Sequence, residues 1–234
     1  MTVHPALTLY GVMPGEVEGF RGYPKAFFTD EFAESHHYLI ETAFYFPGVT
    51  AKNLPGFGLA HREWMKLYAR LACLIVLELD EPGEENRVAL RRGQPIVHYR
   101  LSETSIQHLM RSMRSAAQVF FAAGAERALV PAARQAEVRA TTSDAVLAEE
   151  IHRRYFLKGR VPLASAHPQG GCRMGRSIES AVVNSWGQLY GARNIFVCDA
   201  SVFPTSVNVN PYLSVMAFAD RTAEHITQSI SQWL

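Results

Sequence analysis

The stretch from Ser102 to Gly124 constrains the fold more than any other part of this chain. Ile106, Leu109, Met110, Met113, Ala117 and Phe120 recur at three- and four-residue intervals, so they share one face of a single α-helix. Ser102 stands where an N-cap belongs, and Gly124 is placed to end the helix. A helix with one apolar face must lie on another apolar surface, and strand signals flank it. Ala72-Cys-Leu-Ile-Val-Leu-Glu-Leu-Asp80 reads as a buried strand rich in branched residues. Arg87 to Ser102 reads as two strands joined at Arg91-Arg92-Gly93-Gln94. The first fifty or so residues alternate aromatics with Gly and Pro, as in FRGYPKAFFTDEF, and predict short strands and loops. FGLAHREWMKLYARLA has helical spacing, and a second helix is expected from Ser143 or Asp144 to Leu157, with Gly159 just beyond. The fold class is therefore α+β, with an antiparallel sheet backed by helices across residues 16–160.

Composition narrows the function classes. A chain of 234 residues, 48% hydrophobic, has room for one large domain or two small ones. Its net charge of +1 carries no basic block, which argues against nucleic acid or an anionic membrane surface as partner. Cys73, Cys172 and Cys198 are odd in number and far apart, so reduced thiols and a cytoplasmic location are expected rather than a disulfide framework. No CxxC spacing suggests zinc, so no metal site is expected, and no GxSxG elbow suggests a hydrolase serine. LACLIVLEL is too short to span a bilayer, and MTVHPALTLYGVMPGE has no leader pattern.

Beyond residue 160 the chain turns Gly-rich and irregular. AHPQGGCRMG (166–175) places an imidazole before a proline and two glycines. Pro168 restricts His167 to extended backbone, which fixes the direction of its side chain. Gly170 and Gly171 allow the main chain to approach a flat ligand where a Cβ would collide. A strand is expected over Asn194–Cys198, then the loop Asp199–Asn210, then a long closing helix. Pro211 suits its first turn and Asn210 its cap, with Leu213, Met216, Ala217, Ala223, Ile226 and Ile230 as the inner stripe. The positive end of that helix favours an anionic or electron-rich ligand. His36, His37, Glu41, Phe44, Tyr45 and Phe46 stand where a substrate cavity has its lining, although surface histidines and an aromatic core explain them as well.

AHPQGGCRMG and NIFVCDASVFPTSVNVNPYLSVMAFADRTAEHI together resemble the C-terminal signature of the glucose–methanol–choline (GMC) flavin oxidoreductases. The HPxGG form and the VNP before the closing helix are most similar to cholesterol oxidases and long-chain alcohol oxidases. HPALTLYGVMPGEVEGFRGYPKAFFTDEF resembles the family's passage from cofactor domain to substrate domain. The resemblance covers nearly the whole chain and is most specific over its last seventy residues. It implies FAD as cofactor and the CH–OH group of a bulky, apolar alcohol as substrate. His167 then accepts the hydroxyl proton while the carbinol carbon gives a hydride to flavin N5. Asn210 matches the second active-site position, a role that stands beside plain helix capping. Asp199 and Ala200 match the segment along the flavin's ribityl and phosphate chain, and Asn210 and Pro211 begin the helix aimed at its pyrimidine edge. The domains implied are a remnant of the FAD-binding domain at 1–15, a substrate-binding domain at 16–160, and the C-terminal segment of the FAD-binding domain at 161–234.

The GxGxxG that opens such enzymes is missing from these residues. Gly56-Phe57-Gly58 follows no strand and continues without a third glycine. The expectation is a C-terminal part of the family, either a truncated product or one half of a split enzyme that pairs with a separate N-terminal FAD-binding chain. Such a part, in isolation, is expected to bind FAD weakly or not at all and to be inactive. A non-catalytic, degenerate ligand-binding module is the alternative.

Overall fold

The computed structural model describes residues 1–23, 25–131, 136–157 and 159–232. In chain order its elements are β1 (Ala6–Val12), β2 (Phe28–Thr29), α1 (Ala33–His36), β3 (Tyr38–Thr42), α2 (Pro47–Asn53), α3 (Leu59–Met65), β4 (Leu71–Glu78), β5 (Arg87–Arg91), β6 (Gln94–His98), α4 (Glu103–Ala122), β7 (Arg127–Val130), β8 (Ala136–Arg139), α5 (Asp144–Glu150) and α6 (Tyr212–Gln228). They fall into two compact units. One, the sheet unit, comprises Pro5–Leu79 and Ser102–Ala164; the other, the His167 unit, comprises Met1–His4, Asp80–Leu101 and Ser165–Leu234.

The sheet unit is built on six antiparallel strands in the order β2-β3-β4-β1-β7-β8. β1 pairs with β4 along its whole length, from Ala6 opposite Leu77 to Val12 opposite Leu71. Alternation then sorts the side chains. Leu7, Leu9, Ala72, Leu74 and Val76 share the face of Gly11, which carries α4. The bare Cα of Gly11 admits the Phe120 ring, because a Cβ there would lie 2.5 Å from its Cδ1. Every residue of the expected stripe, from Ile106 to Phe120, is buried, and Ser102 Oγ accepts the Ser105 amide at 2.9 Å as a cap. On the opposite face Tyr10, Val12, Leu71 and Leu129 pack with Leu54 and Trp64, and Cys73 and Tyr45 lie against them.

Three local expectations change. The helix expected to Leu157 stops at Glu150, where Ile151 leaves helical torsions (φ −101°, ψ 59°) and His152 Nδ1 accepts the Arg154 amide to start a separate 3-10 turn. The 57–72 stretch divides into α3 and a 3-10 turn at Tyr68–Arg70 before β4 begins. α2 forms where strands and loops were expected, with Pro47 supplying its first turn.

Cys73 gives the sheet unit a titration signature. Burial pushes its thiol well above the ordinary range, more than a hydrogen bond with Tyr10 lowers it. The folded state therefore holds a proton that the unfolded chain gives up near pH 8.5, so this stabilising contribution is full below about pH 8.5 and lost as pH rises. The unfolding free energy measured in urea should fall between about pH 8.5 and 10, by at most about 1.4 kcal/mol per pH unit. Cys73→Ala should flatten that slope; an equal slope in the variant would remove Cys73 as its cause.

In the His167 unit, β5 and β6 form a hairpin whose turn residues Arg92 (φ 51°) and Gly93 (φ 76°) are both left-handed, as a two-residue hairpin turn requires. α6 begins one residue later than expected: its N-cap is Pro211 rather than Asn210, and no side chain caps it. Pro211 already has helical torsions (φ −82°, ψ −5°), and its carbonyl accepts the Val215 amide at 2.9 Å. Its inner face, however, is not the expected stripe. Leu213 and Met216 are 64% and 62% exposed, while Val215 and Phe218 pack onto Val183, Val202 and Phe203. Thr222, fully buried, decides the face: its hydroxyl donates to the Trp186 carbonyl at 3.1 Å. Gly187 assists, since a Cβ there would lie 3.3 Å from the Phe218 ring. The expected strand at 194–198 is reduced to a bridge between Gln188 and Phe196, flanked by Leu189 N–H to Ile195 O and Val197 N–H to Gly187 O. None of the described helices is long and apolar enough to cross a membrane.

Candidate active site

His167 lies in the His167 unit on the segment 165–175, which is stitched to two neighbours. On one side Thr2 and Gln169 exchange main-chain hydrogen bonds of 3.0 and 2.9 Å. On the other, the amides of Gly170, Cys172 and Met174 donate to the carbonyls of Ala200, Ser201 and Val202. The segment thus runs beside the stretch that contains Asp199 and Ala200. Gly170 adopts φ 77°, and a Cβ on it would lie 3.1 Å from the Phe203 carbonyl. Its missing side chain therefore serves the protein's own packing, not only the approach of a ligand. Gly171 has ordinary space, with Val88 and Ser201 as neighbours.

The imidazole of His167 is half-buried, and its Nδ1 lies 2.9 Å from Nδ1 of His4. The main-chain amide of His167 donates to Ser165 Oγ at 3.2 Å, and that hydroxyl in turn donates to the Val3 carbonyl. The ring's backbone is thus held from residues 2–4 as well as by Pro168.

Asp199 is exposed, and its Oδ1 accepts the Ser201 amide at 2.7 Å, capping the 3-10 turn Ala200–Val202. Val202 and Phe203, which follow, are core residues. The turn is therefore a rigid shelf with Asp199 and Ala200 at its start. The loop then reaches Asn210, half-buried, and Pro211, buried, at the start of α6. The first turn of this 17-residue helix carries no acidic side chain. Its amides and the positive end of the helix remain available to an electron-rich group.

Gln169 joins these parts and was not singled out in the sequence. It is 1% exposed; its Nε2 donates to the His167 carbonyl at 3.3 Å, and its Oε1 accepts the Val207 amide at 3.2 Å. It ties the backbone of His167 to the loop that ends in Asn210. Nothing local distinguishes an amide buried for this purpose from one in solvent; only the company of His167 pointed toward it. The other candidates sit in the sheet unit. Glu41 is buried and pairs with Lys25 at 3.2 Å, Tyr45 packs against core clusters, and His37 stacks on His108. His36 lies 3.3 Å from Arg111, and Phe44 and Phe46 meet edge to face. That unit also holds a cavity of about 470 Å³ whose lining includes Thr8, Tyr10, Asn53 and Leu129.

A family model described as GMC oxidoreductase matches residues 82–219. An uncharacterized GMC-type oxidoreductase of Mycobacterium tuberculosis is 27% identical over 98% of this chain and 36% of its own length. A long-chain-alcohol oxidase of Arabidopsis thaliana is 28% identical over 84% of this chain and 27% of its own. The chain thus spans about a third of the length of the curated relatives it matches. Among solved structures, an Aspergillus oryzae formate oxidase described for its FAD modification shares the fold, with a TM-score of 0.66 at 14% identity, covering 100% of this chain and 47% of the other. By the family match over residues 82–219, the chain belongs to the GMC oxidoreductase family.

Proposed function

We propose that the protein is an FAD-dependent oxidoreductase acting on the CH–OH group of a bulky, apolar alcohol, together with the GxGxxG-bearing nucleotide domain of such enzymes. The observation that carries this reading is the arrangement around Gln169. One buried amide ties the His167 backbone to Val207, in the loop that leads to Asn210, which supports reading these two segments as carriers of the base and the amide donor. The long-chain-alcohol oxidase relatives favour an alcohol with an apolar body.

The residues suit a flavin. The shelf at Asp199 and Ala200 is rigid, and the first turn of α6 is free of acidic side chains, as an electron-rich ring edge needs. Asp199 and Ala200 would hold the ribityl and phosphate chain, and Asn210 and Pro211 would face the pyrimidine edge. FAD, when bound, supplies the acceptor for the carbinol hydride. His167 takes the hydroxyl proton on its ring nitrogen, leaving the carbonyl product. The Asn210 amide donates to the substrate oxygen and orients it. The His167 unit serves as the C-terminal segment of the FAD-binding domain, and the sheet unit as the substrate-binding domain.

The test uses the protein completed by a GxGxxG-bearing nucleotide domain, in cis or in trans, loaded with FAD and mixed anaerobically with primary alcohols of increasing chain length. Bleaching of the visible flavin band is expected, faster with the longer alcohols. A retained flavin that no alcohol bleaches would overturn the assignment.

A further inference from the structure

We propose that His4 is a positioning residue for His167: its Nδ1 accepts the Nδ1–H of His167 and so keeps the other ring nitrogen of His167 as a lone pair. This inference rests on the reading of His167 as the proton acceptor.

The two Nδ1 atoms are 2.9 Å apart, and the rings are tilted by 33° with centroids 5.0 Å apart. An approach that close between neutral rings needs one hydrogen and one lone pair. If His4 donates, the neutral His167 ring carries its proton on Nε2 and has spent its only lone pair. If His167 donates, its proton is on Nδ1 and Nε2 carries the lone pair. Only the second arrangement gives a base, and the hydrogen bond at one ring nitrogen decides the state of the other. When Nε2 takes the hydroxyl proton, His167 becomes an imidazolium whose Nδ1–H stays donated to His4. No proton leaves the pair in that step.

The surroundings show how firmly His4 is held. It is fully buried and adopts φ 52°, a left-handed conformation that side chains avoid. Asp80, itself 3% exposed, holds it there: its carboxylate accepts the Val3 amide at 2.9 Å, the His4 amide at 2.7 Å and the Tyr99 hydroxyl at 2.8 Å. The antiparallel bridge between Thr2 and Gln169 sets the register that brings residue 4 opposite residue 167. A strained, buried and clamped residue whose ring meets the proposed base is a pattern of functional sites. Pro5 follows His4 and removes further freedom from the chain.

Two readouts test the role. In the 234-residue chain labelled with ¹⁵N-histidine, His167 Nδ1 should give a protonated, pyrrole-type signal and Nε2 a pyridine-type one. His4→Leu should move His167 toward the opposite tautomer, whereas His4→Asn, whose amide oxygen takes the place of Nδ1, should restore it. In the flavin-loaded, completed protein, His4→Leu should lower kcat about 10–100-fold, as lost outer-shell partners do, with KM and flavin content unchanged. His4→Asn should recover most of that loss. A wild-type His167 protonated on Nε2 would overturn the proposal without any activity measurement. Unchanged kcat in His4→Leu, beside a collapsed kcat in His167→Ala, would overturn the role of His4 alone. Unchanged kcat in both would overturn the proposed function with it.

Discussion

His167→Ala should lower the rate of alcohol-driven flavin bleaching by about 10²–10⁴-fold, the span that a positioned general base contributes. That loss corresponds to roughly 3–5 kcal/mol of barrier. The alanine leaves the main-chain bonds of the segment and those of Gln169 in place, and removes the imidazole that pairs with the buried His4 ring. Flavin content is expected to match the parent, while stability should fall by about 1–3 kcal/mol because the buried His4 Nδ1 loses this partner. The rate loss should appear in kcat more than in KM. On the proposed role of Asn210 as a donor to the substrate oxygen, Asn210→Ala should cost about 10²–10³-fold, by analogy with the loss of a single oxyanion donor. The double variant should lose far less than the product of the two, since residues that act on one oxygen behave as a unit. Stopped-flow absorbance with a saturating alcohol measures all three. A His167→Ala protein that bleaches at the parental rate would remove the imidazole from the chemistry.

What the sequence displayed was what periodicity and local chemistry carry. α4 was legible because six apolar side chains share one face between a serine cap and a glycine stop, and each of the six is buried. The β5–β6 hairpin was legible because two short strand-forming runs flank a polar turn that contains Gly93, which takes left-handed backbone without strain. α6 shows the limit. Its start was visible in Asn210-Pro211, yet its buried face was misjudged, because Leu213 and Met216 on one side and Val215 and Phe218 on the other are similarly apolar, so periodicity alone does not choose between them. The face is chosen by a glycine at 187 and a carbonyl at 186, both far away in sequence. The same holds for the site. AHPQGG pointed to His167, but His4 carries no local signal, since it meets its partner across 163 residues. Only the fold makes that register.

In the sheet unit the largest stability change should come from Phe120→Ala, at about 3–5 kcal/mol, the usual cost of truncating a buried phenylalanine. Phe120 is 3% exposed at the last turn of α4, and its ring fills the space left by the missing side chain of Gly11 on the central strand β1. The reverse substitution is also costly. A Cβ at Gly11 would lie 2.5, 2.8 and 3.0 Å from Cδ1, Cγ and Cε1 of that ring, too close for either to stay in place. Cγ is fixed to the helix by its own Cβ, so the ring has no free end to swing away, and Gly11→Ala should cost on the order of 1–3 kcal/mol by overpacking. The two changes compete for one volume, so their effects should not add. With the ring gone, the methyl at residue 11 fills part of the cavity it would otherwise crowd. Gly11→Ala combined with Phe120→Ala should therefore be no less stable than Phe120→Ala alone, although Gly11→Ala destabilises the parent. Urea unfolding of the four proteins measures the coupling. Simple additivity would mean that the helix shifts to admit the methyl, and that the close fit of Phe120 over Gly11 does not hold α4 on β1.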